Sequence, residues 1–361
     1  MHKKILVAGS LGYIGSMLVP YLNDSGFDCM GYDTGFFQDC ILYTPRQQNV
    51  IIKDLRALSK NDLNGIDIVV NLAGISNDPL KNLRAERIYN PVRAYSLELA
   101  KLCKEHGIKF IFASSCSVYG KAGEKLLDEK SSTDPQTPYS LNKLQIENDL
   151  RSISDESFSP IILRFATVFG SSPRMRFDLV VNMFVGMAIA TKKIVLNSDG
   201  QAWRPHVYIK DVCKAVKYCI DSDLTPGEPL ILNVGDSSQN YSILQVADIV
   251  KNEVPGSEIC FLNKKENFSD KEELIRDRKI QDGVDTRTYK VSFDLMKNTL
   301  KGFKCDFSVQ EGIRTTVNDF KKIKMTGEQF GNINFYRLQK LESLLKNKYI
   351  SEDLFWIKNR V

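Results

Sequence analysis

Tyr139 and Lys143 stand one helical turn apart in the segment Pro138-Tyr-Ser-Leu-Asn-Lys143, so on a helix they project from one face. A phenol loses its proton near pH 10, at about the same pH as a lysine ammonium. Placed beside it, that ammonium stabilises the phenolate and brings it toward the range of a general base. Alone, such a pair also decorates ordinary helix surfaces, so its meaning depends on what else converges there. Upstream, Phe112-Ala-Ser-Ser-Cys-Ser-Val-Tyr-Gly120 runs off an apolar segment into clustered hydroxyls. Ser114 and Ser115 then fall at the carboxyl end of a strand, where α/β sheets bind ligands, and Ser115 is suited to hold a reacting hydroxyl beside Tyr139. The alternative is a serine-rich turn.

A second constellation lies at the N-terminus. Gly9, Gly12 and Gly15 follow a short apolar run and open a helical stretch. Glycines at this spacing make a tight turn, let a pyrophosphate approach the backbone and allow close helix–strand packing, while the helix N-terminus offers N–H groups, here from Tyr13 and Ile14. Asp33 ends the second apolar run, where an acid bonds both ribose hydroxyls and repels a 2′-phosphate, which favours NAD over NADP. A plain turn and a surface aspartate are the competing readings. Asp54 and Leu55, after the third run, are candidates for the adenine end, and Leu72-Ala73-Gly74, after Asn71, provides small residues that admit a ribose.

The elements that must position these groups can be read from hydrophobic patterning. Near-continuous apolar strands at Lys4–Ala8, Cys29–Asp33, Asn49–Lys53, Asp67–Leu72, Lys109–Ser114 and Pro160–Phe165 alternate with helical stretches. The pattern predicts an α/β fold, a Rossmann-type doubly wound parallel sheet over residues 1–170, with some later segments returning to it. Pro91, inside the helical stretch Leu80–His106, predicts a break near Asn90. Residues 171–325 change rhythm to a smaller mixed α/β substrate-binding domain. Its helices are expected at Phe177–Thr191, Asp211–Asp221 and Ser242–Asn252, and its strands near Ile194–Leu196 and Leu230–Val234. The charged segment Asn263–Asp282 reads as a solvated loop. Residues 326–361 form a C-terminal helical extension, with Leu338, Leu341, Leu344 and Leu345 on one amphipathic face.

Composition narrows the class. The 361 residues are 43% hydrophobic, and 49 basic against 44 acidic residues leave a net charge of +5, a weak excess that fits a small anionic substrate. No basic stripe tracks a phosphate backbone, so no nucleic-acid partner is expected. No apolar run approaches the roughly 18 residues of a membrane span. The 8 cysteines lack CxxC spacing and the 3 histidines lie far apart, which predicts a reducing cytoplasm and no metal site.

In order along the chain, Gly-x-x-Gly-x-x-Gly, Asn-Leu-Ala-Gly, Ser-Ser-x-x-Val-Tyr-Gly, Pro-Tyr-x-x-x-Lys and Arg-Pro-His-Val-Tyr-Ile-Lys-Asp-Val closely resemble the extended short-chain dehydrogenase/reductases that act on nucleotide-sugars. The resemblance covers about residues 1–322 and is specific as a joint pattern. It implies that Tyr139 is the acid/base, that Lys143 binds the nicotinamide ribose and lowers the tyrosine pKa, and that Ser115 aligns the substrate. Asn90 would support the proton relay and Phe165 would lie by the nicotinamide. On the substrate side it implies Arg204 and Asn182 as pyrophosphate ligands, with Arg174, Arg176 and Arg287 as further candidates. The segments Arg164–Asn182 and Asp285–Ser292 look most like a bacterial subgroup that includes GDP-heptose 4-dehydrogenases.

The resemblance also implies NAD as cofactor, a nucleotide-sugar as substrate, and a homodimer built on the helices near Pro91–His106 and Tyr139–Ser152, where Tyr95, Leu99 and Leu102 share a face. UDP-galactose 4-epimerases carry asparagine where Thr167 stands and lysine where Ser76 stands, and both positions fall on the substrate side. Epimerase and 4-dehydrogenase/reductase outcomes therefore stay open. A 4,6-dehydratase is disfavoured by Cys116 and Ser117, which stand where such enzymes carry an Asp-Glu pair. A non-catalytic dinucleotide-binding regulator is the reading from another class, and it is opposed by the presence of both Tyr139 and Lys143.

Overall fold

Strand β1 (Lys4–Ala8) sits at the centre of the molecule, and its alternate side chains enter two different cores. Ile5 and Val7 pack on one face with Leu18 and Leu163, while Leu6 and Ala8 pack on the other with Val69 and Phe112. A strand buried on both faces needs an unbroken apolar run, and each fully buried Val, Leu or Ile contributes about 1.5–3 kcal/mol. The computed structural model describes residues 3–76, 84–222, 227–261 and 287–357.

Around β1, strands β2 (Asp28–Asp33), β3 (Val50–Ile52), β4 (Ile68–Asn71), β5 (Lys109–Ser115), β7 (Ile161–Phe165) and β11 (Leu230–Val234) form a 7-stranded sheet in the order β11-β7-β5-β4-β1-β2-β3. Every neighbouring pair is parallel. The strand order reverses beside β1, which opens a crevice at the carboxyl ends of β1 and β4. The segment Leu230–Val234, expected in the smaller region, instead closes the edge of this sheet against β7.

Helices α1 (Gly15–Asp24), α2 (Ala85–Glu105), α3 (Pro138–Ser152) and α5 (Ile209–Asp221) cover the sheet. Helix α3 starts on Pro138, and Thr137 and Ser140 cap it reciprocally, so the chain sets the phase of Tyr139 and Lys143 within one turn. Helix α2 runs unbroken through Pro91, contrary to the expected break near Asn90. Burial of Ile88, Tyr89, Val92 and Leu99 along one face holds it together across the missing N–H. Leu99 is buried in the chain's own core, and Tyr95 and Leu102 pack against that core while staying partly exposed.

The substrate-side half is built from α4 (Val180–Thr191), α6 (Ile243–Glu253), α7 (Asp294–Thr299) and α8 (Val309–Lys322), with strands β6 (Lys121–Leu127), β8 (Thr167–Phe169), β9 (Lys193–Leu196), β10 (Trp203–Tyr208), β12 (Asn240–Ser242), β13 (Glu258–Phe261) and β14 (Thr288–Val291) paired in small sheets. A further core joins Phe184, Val185, Val246 and Phe320 here. Helices α9 (Gly327–Gly331) and α10 (Arg337–Lys346) carry the chain back toward the sheet. Leu341 and Leu344 of α10 bury against Phe36, Ile88 and Tyr89, with Tyr139 at the edge of that cluster. The segment Asn263–Asp282 lies outside the described residues. Among the described residues no helix is long and apolar enough to cross a membrane, and no cluster of His, Cys, Asp and Glu could hold a metal. All 8 cysteines are free.

Candidate active site

A cleft of about 740 Å³ runs from the carboxyl ends of β1 to β3, past the end of β5, to β8 and β10. Gly9, Gly12, Tyr13, Ile14 and Gly15 form its floor at the first strand–helix turn. Gly9 has φ 84, and a Cβ there would sit 2.8 Å from the Ala73 nitrogen; a Cβ on Gly15 would collide with the Gly9 carbonyl. Those two glycines let backbones touch. At Gly12 the only close neighbour of a Cβ would be the Gly9 carbonyl, at 3.1 Å, so its free side faces the cleft and suits the close approach of a phosphate. The Tyr13 side chain turns away, donating to the Gly170 carbonyl at 2.7 Å, and burial pushes its pKa up.

Asp33 accepts the Leu11 N–H at 3.0 Å and the Gly35 N–H at 2.8 Å, one on each carboxylate oxygen. Burial raises its pKa and these two N–H groups oppose the rise. Asp54 and Leu55 line the same end of the cleft. The Asn71 side chain accepts the Ala73 N–H at 3.1 Å and donates to the Ser96 hydroxyl at 3.2 Å, which fixes the turn that presents Leu72, Ala73 and Gly74.

At the middle of the cleft Ser114, Ser115, Tyr139, Lys143 and Phe165 come together. The Lys143 ammonium donates to the Ala113 carbonyl at 2.6 Å, lies 4.6 Å from the centre of the Phe112 ring and 5.8 Å from that of Tyr139. Burial lowers its pKa to about 8, with Glu147 opposing. Ser115 accepts the Ser117 N–H at 3.2 Å and keeps its hydroxyl at the cleft. Behind them, the Ser114 hydroxyl bonds Glu147, which forms a buried ion pair with Arg164 at 2.6 Å.

Ser76, Thr167, Arg176, Arg204 and Arg287 line the far end. Arg176 donates to the Ser76 hydroxyl at 2.6 Å and pairs with Asp178 at 2.9 Å. Its guanidinium also feels the Tyr139 hydroxyl electrostatically. Arg204 bonds the backbone carbonyls of Trp203 and Arg287 and lies over the Tyr289 ring.

Three sequence candidates stand apart from the cleft. Asn90 is exposed on the outer face of α2. Arg174 donates to the Phe37 and Gln38 carbonyls and braces the loop after β2. Asn182 accepts the Gly170 N–H at 2.8 Å and donates to the Tyr13 hydroxyl and the Arg176 carbonyl, each at 3.1 Å, so its amide brackets the glycine loop against α4. Conversely, Tyr95, which the sequence offered only for an apolar helix face, lines the cleft, as do Asp178, Gln339, Glu342, Asp353 and Leu354, which were not singled out in the sequence. The last four come from the C-terminal extension, and only the three-dimensional path of the chain brings them there.

A parallel sheet with a glycine turn and an acid at the ends of its first two strands, and a Ser/Tyr/Lys group at the end of its fifth, defines a dinucleotide-dependent enzyme of the extended short-chain dehydrogenase/reductase type. The chain belongs to the NAD dependent epimerase/dehydratase family, whose family model matches residues 5–235. It is similar to a UDP-glucose epimerase of uncharacterised role, YtcB, from Bacillus subtilis (strain 168), with 31% identity over 275 residues that cover 69% of this chain and 81% of the relative. Among solved structures it is similar to TunA, an NAD-dependent NDP-hexosamine 5,6-dehydratase, with TM-score 0.73, 22% identity and coverage of 89% of this chain and 98% of that one. It is also similar to the Bacillus cereus UDP-glucuronic acid 4-epimerase in complex with UDP-glucuronic acid and NAD, with TM-score 0.67, 21% identity and coverage of 89% and 99%. The cofactor is NAD, and the residues at Gly12, Asp33 and Lys143 fit it.

Proposed function

We propose that this enzyme carries out oxidation and reduction at C4 of a nucleotide-sugar, as a 4-epimerase or a 4-dehydrogenase/reductase in bacterial surface-glycan or deoxysugar biosynthesis. The observation that carries this reading is the meeting of Ser115, Tyr139 and Lys143 in one cleft with the glycine turn and Asp33. Bound NAD supplies a hydride acceptor that can also return the hydride. Tyr139 takes the proton of the C4 hydroxyl, Ser115 orients that hydroxyl, and the Lys143 ammonium stabilises the phenolate. Arg204 and Arg287 bind the diphosphate, Arg176 and Ser76 face the sugar, and Thr167 completes the wall. The name of the Bacillus subtilis relative, a UDP-glucose epimerase, supports epimerisation of a nucleotide-sugar, and that of the Bacillus cereus UDP-glucuronic acid 4-epimerase supports C4 as the carbon. A homodimer in the cytoplasm belongs to the same reading.

The test is a screen of the purified protein against UDP-, dTDP-, GDP- and CDP-sugars, followed by NADH absorbance and by NMR of the sugar. A C4 epimer or a 4-keto sugar is expected with at least one of them. No conversion of any member would overturn the proposal.

A further inference from the structure

The last described stretch of the chain, residues 352–357, lies across the end of the cleft that Asp33 and Asp54 flank. Arg56 holds it there: the guanidinium donates to the Asp353 carbonyl at 2.6 Å and to the Leu354 carbonyl at 2.8 Å, and it stacks 3.4 Å from the centre of the Phe355 ring. The same guanidinium bonds the Asp54 carboxylate, with 2.8 Å from its Nε, so the latch and the acid at the end of β3 form one unit. On the opposite rim the Trp356 indole N–H donates to the Thr34 carbonyl at 2.7 Å, and its ring lies 5.4 Å from that of Phe36, just beyond Asp33. Leu354 is buried and has φ 57, a left-handed conformation that leucine keeps only where its surroundings hold it. Asp353 and Leu354 face the cleft, whereas Trp356 is set back from it.

We propose that residues 352–357 are the outer wall of the adenosine site, latched by Arg56 and Trp356, so that NAD leaves only when this segment lifts. Both rims of the segment rest on the loops that follow β2 and β3, the two loops that carry the acids facing the ribose and adenine. The segment lies far beyond residues 5–235, which match the family model. Any contact that it makes to the cofactor is therefore additional to those of the matched region. Slow release suits chemistry in which the hydride returns within one catalytic cycle, but the assignment concerns cofactor binding and stands whichever sugar is the substrate.

The test uses the full chain and no sugar. Protein loaded with labelled NAD is chased with an excess of unlabelled NAD, and the release rate is compared between the unaltered chain, Arg56→Ala and Trp356→Ala. Release about tenfold faster or more is expected in both variants, at unchanged circular dichroism; tenfold corresponds to the loss of one charge-assisted hydrogen bond at Arg56, or of one neutral hydrogen bond with its ring contact at Trp356. Trp356→Ala is the more telling variant because Trp356 itself is set back from the cleft, whereas Arg56 lines it. Equal release rates in all three proteins would overturn the proposal. Hydrogen exchange on the unaltered chain tests it without any variant. The amides of Ser351, Leu354 and Ile357, which bond within the segment and to Tyr349, should exchange several-fold more slowly in saturating NAD. Exchange that ignores NAD would also overturn it.

Discussion

The Lys143 ammonium is tied to the Ala113 carbonyl at 2.6 Å, which joins the second turn of α3 to the end of β5 and brings Tyr139 and Ser115 into one cleft. Burial brings the lysine pKa to about 8, below its ordinary value, so the folded state holds this proton less tightly than the unfolded chain does. The buried ammonium therefore costs stability near neutrality, and the cost is relieved as pH rises through about 8 toward the unfolded value. Lys143→Met should raise the melting temperature at pH 7 and lower kcat, and its advantage in melting temperature should shrink by pH 10. Activity of the unaltered enzyme should fall above about pH 8 as the ammonium is lost. A rate that stays flat to pH 10 would remove Lys143 from the proton chemistry.

Tyr139 packs at 6.5 Å from Tyr89, at the edge of the cluster that includes Leu341 and Leu344. Tyr139→Phe keeps that packing and removes the proton acceptor. Turnover should fall by about 10²–10⁴-fold, the usual contribution of a positioned general base, while NAD binding measured by calorimetry stays intact. Undiminished turnover would assign the proton to another group.

Asp33 has one backbone N–H on each oxygen, which aims the carboxylate and leaves lone pairs for a ribose diol. NAD should bind much better than NADP, whose 2′-phosphate would meet a half-buried negative charge. Asp33→Ala should narrow the difference by roughly 10- to 100-fold, the worth of charge-assisted hydrogen bonds. Equal affinity for both cofactors in the unaltered protein would defeat this assignment.

Glu147 and Arg164 are paired at 2.6 Å with side chains only 2% and 4% exposed, and Tyr119 accepts a further hydrogen bond from Arg164 at 3.0 Å. Removing one partner leaves the other charge buried. Glu147→Ala should cost about 3–5 kcal/mol in urea unfolding. A loss below about 1 kcal/mol would mean that Arg164 finds another partner or reaches water.

The sheet and the glycine turn were legible in the sequence because their causes are local: apolar runs for strands buried on both faces, and glycines where Cβ atoms would strike Ala73 or the Gly9 carbonyl. The start of α3 at Pro138, which puts Tyr139 and Lys143 one turn apart, is local too. Leu230–Val234 was legible as a strand, but its place beside β7 is a choice among long-range pairings that an apolar run does not encode. The directions taken by Asn90, Arg174 and Asn182 follow from helix phase and from carbonyls such as those of Phe37 and Arg176, which sequence spacing does not reveal. The return of Gln339, Glu342, Asp353 and Leu354 to the cleft depends on partners nearly a whole chain away, such as Arg56 and Thr34, and the amphipathic leucines of α10 indicated only that the helix packs somewhere.

The enzyme should not eliminate water from its sugar. Dehydration across C5 and C6 needs an acid for the departing hydroxyl and a base for the C5 proton, both beside the reacting carbon. The two residues that follow Ser115 supply neither. Cys116 is 1% exposed, donates its thiol to the Arg164 carbonyl at 3.2 Å, and has its pKa pushed up by burial, so it faces the core and stays neutral. Ser117 does reach the cleft, but with a hydroxyl, which at neutral pH is far too weak an acid for the task. Of the other carboxylates that line the cleft, Asp178 is paired with Arg176, Asp33, Asp54 and Asp353 sit at the adenosine end, and Glu342 comes from α10 rather than from the turn that carries Ser115. Glu86 is exposed on α2, and Asp78 lies outside the described residues. Mass spectrometry of products from every nucleotide-hexose that is turned over should therefore show no species lighter by one water. If such a species did form, Glu342 of α10, which lines the cleft on the helix that buries Leu341 beside Tyr139, would be the first carboxylate to replace. Glu342→Gln should then abolish the loss of water while leaving oxidation at C4, and a dehydrated product that survived this substitution would place the acid elsewhere.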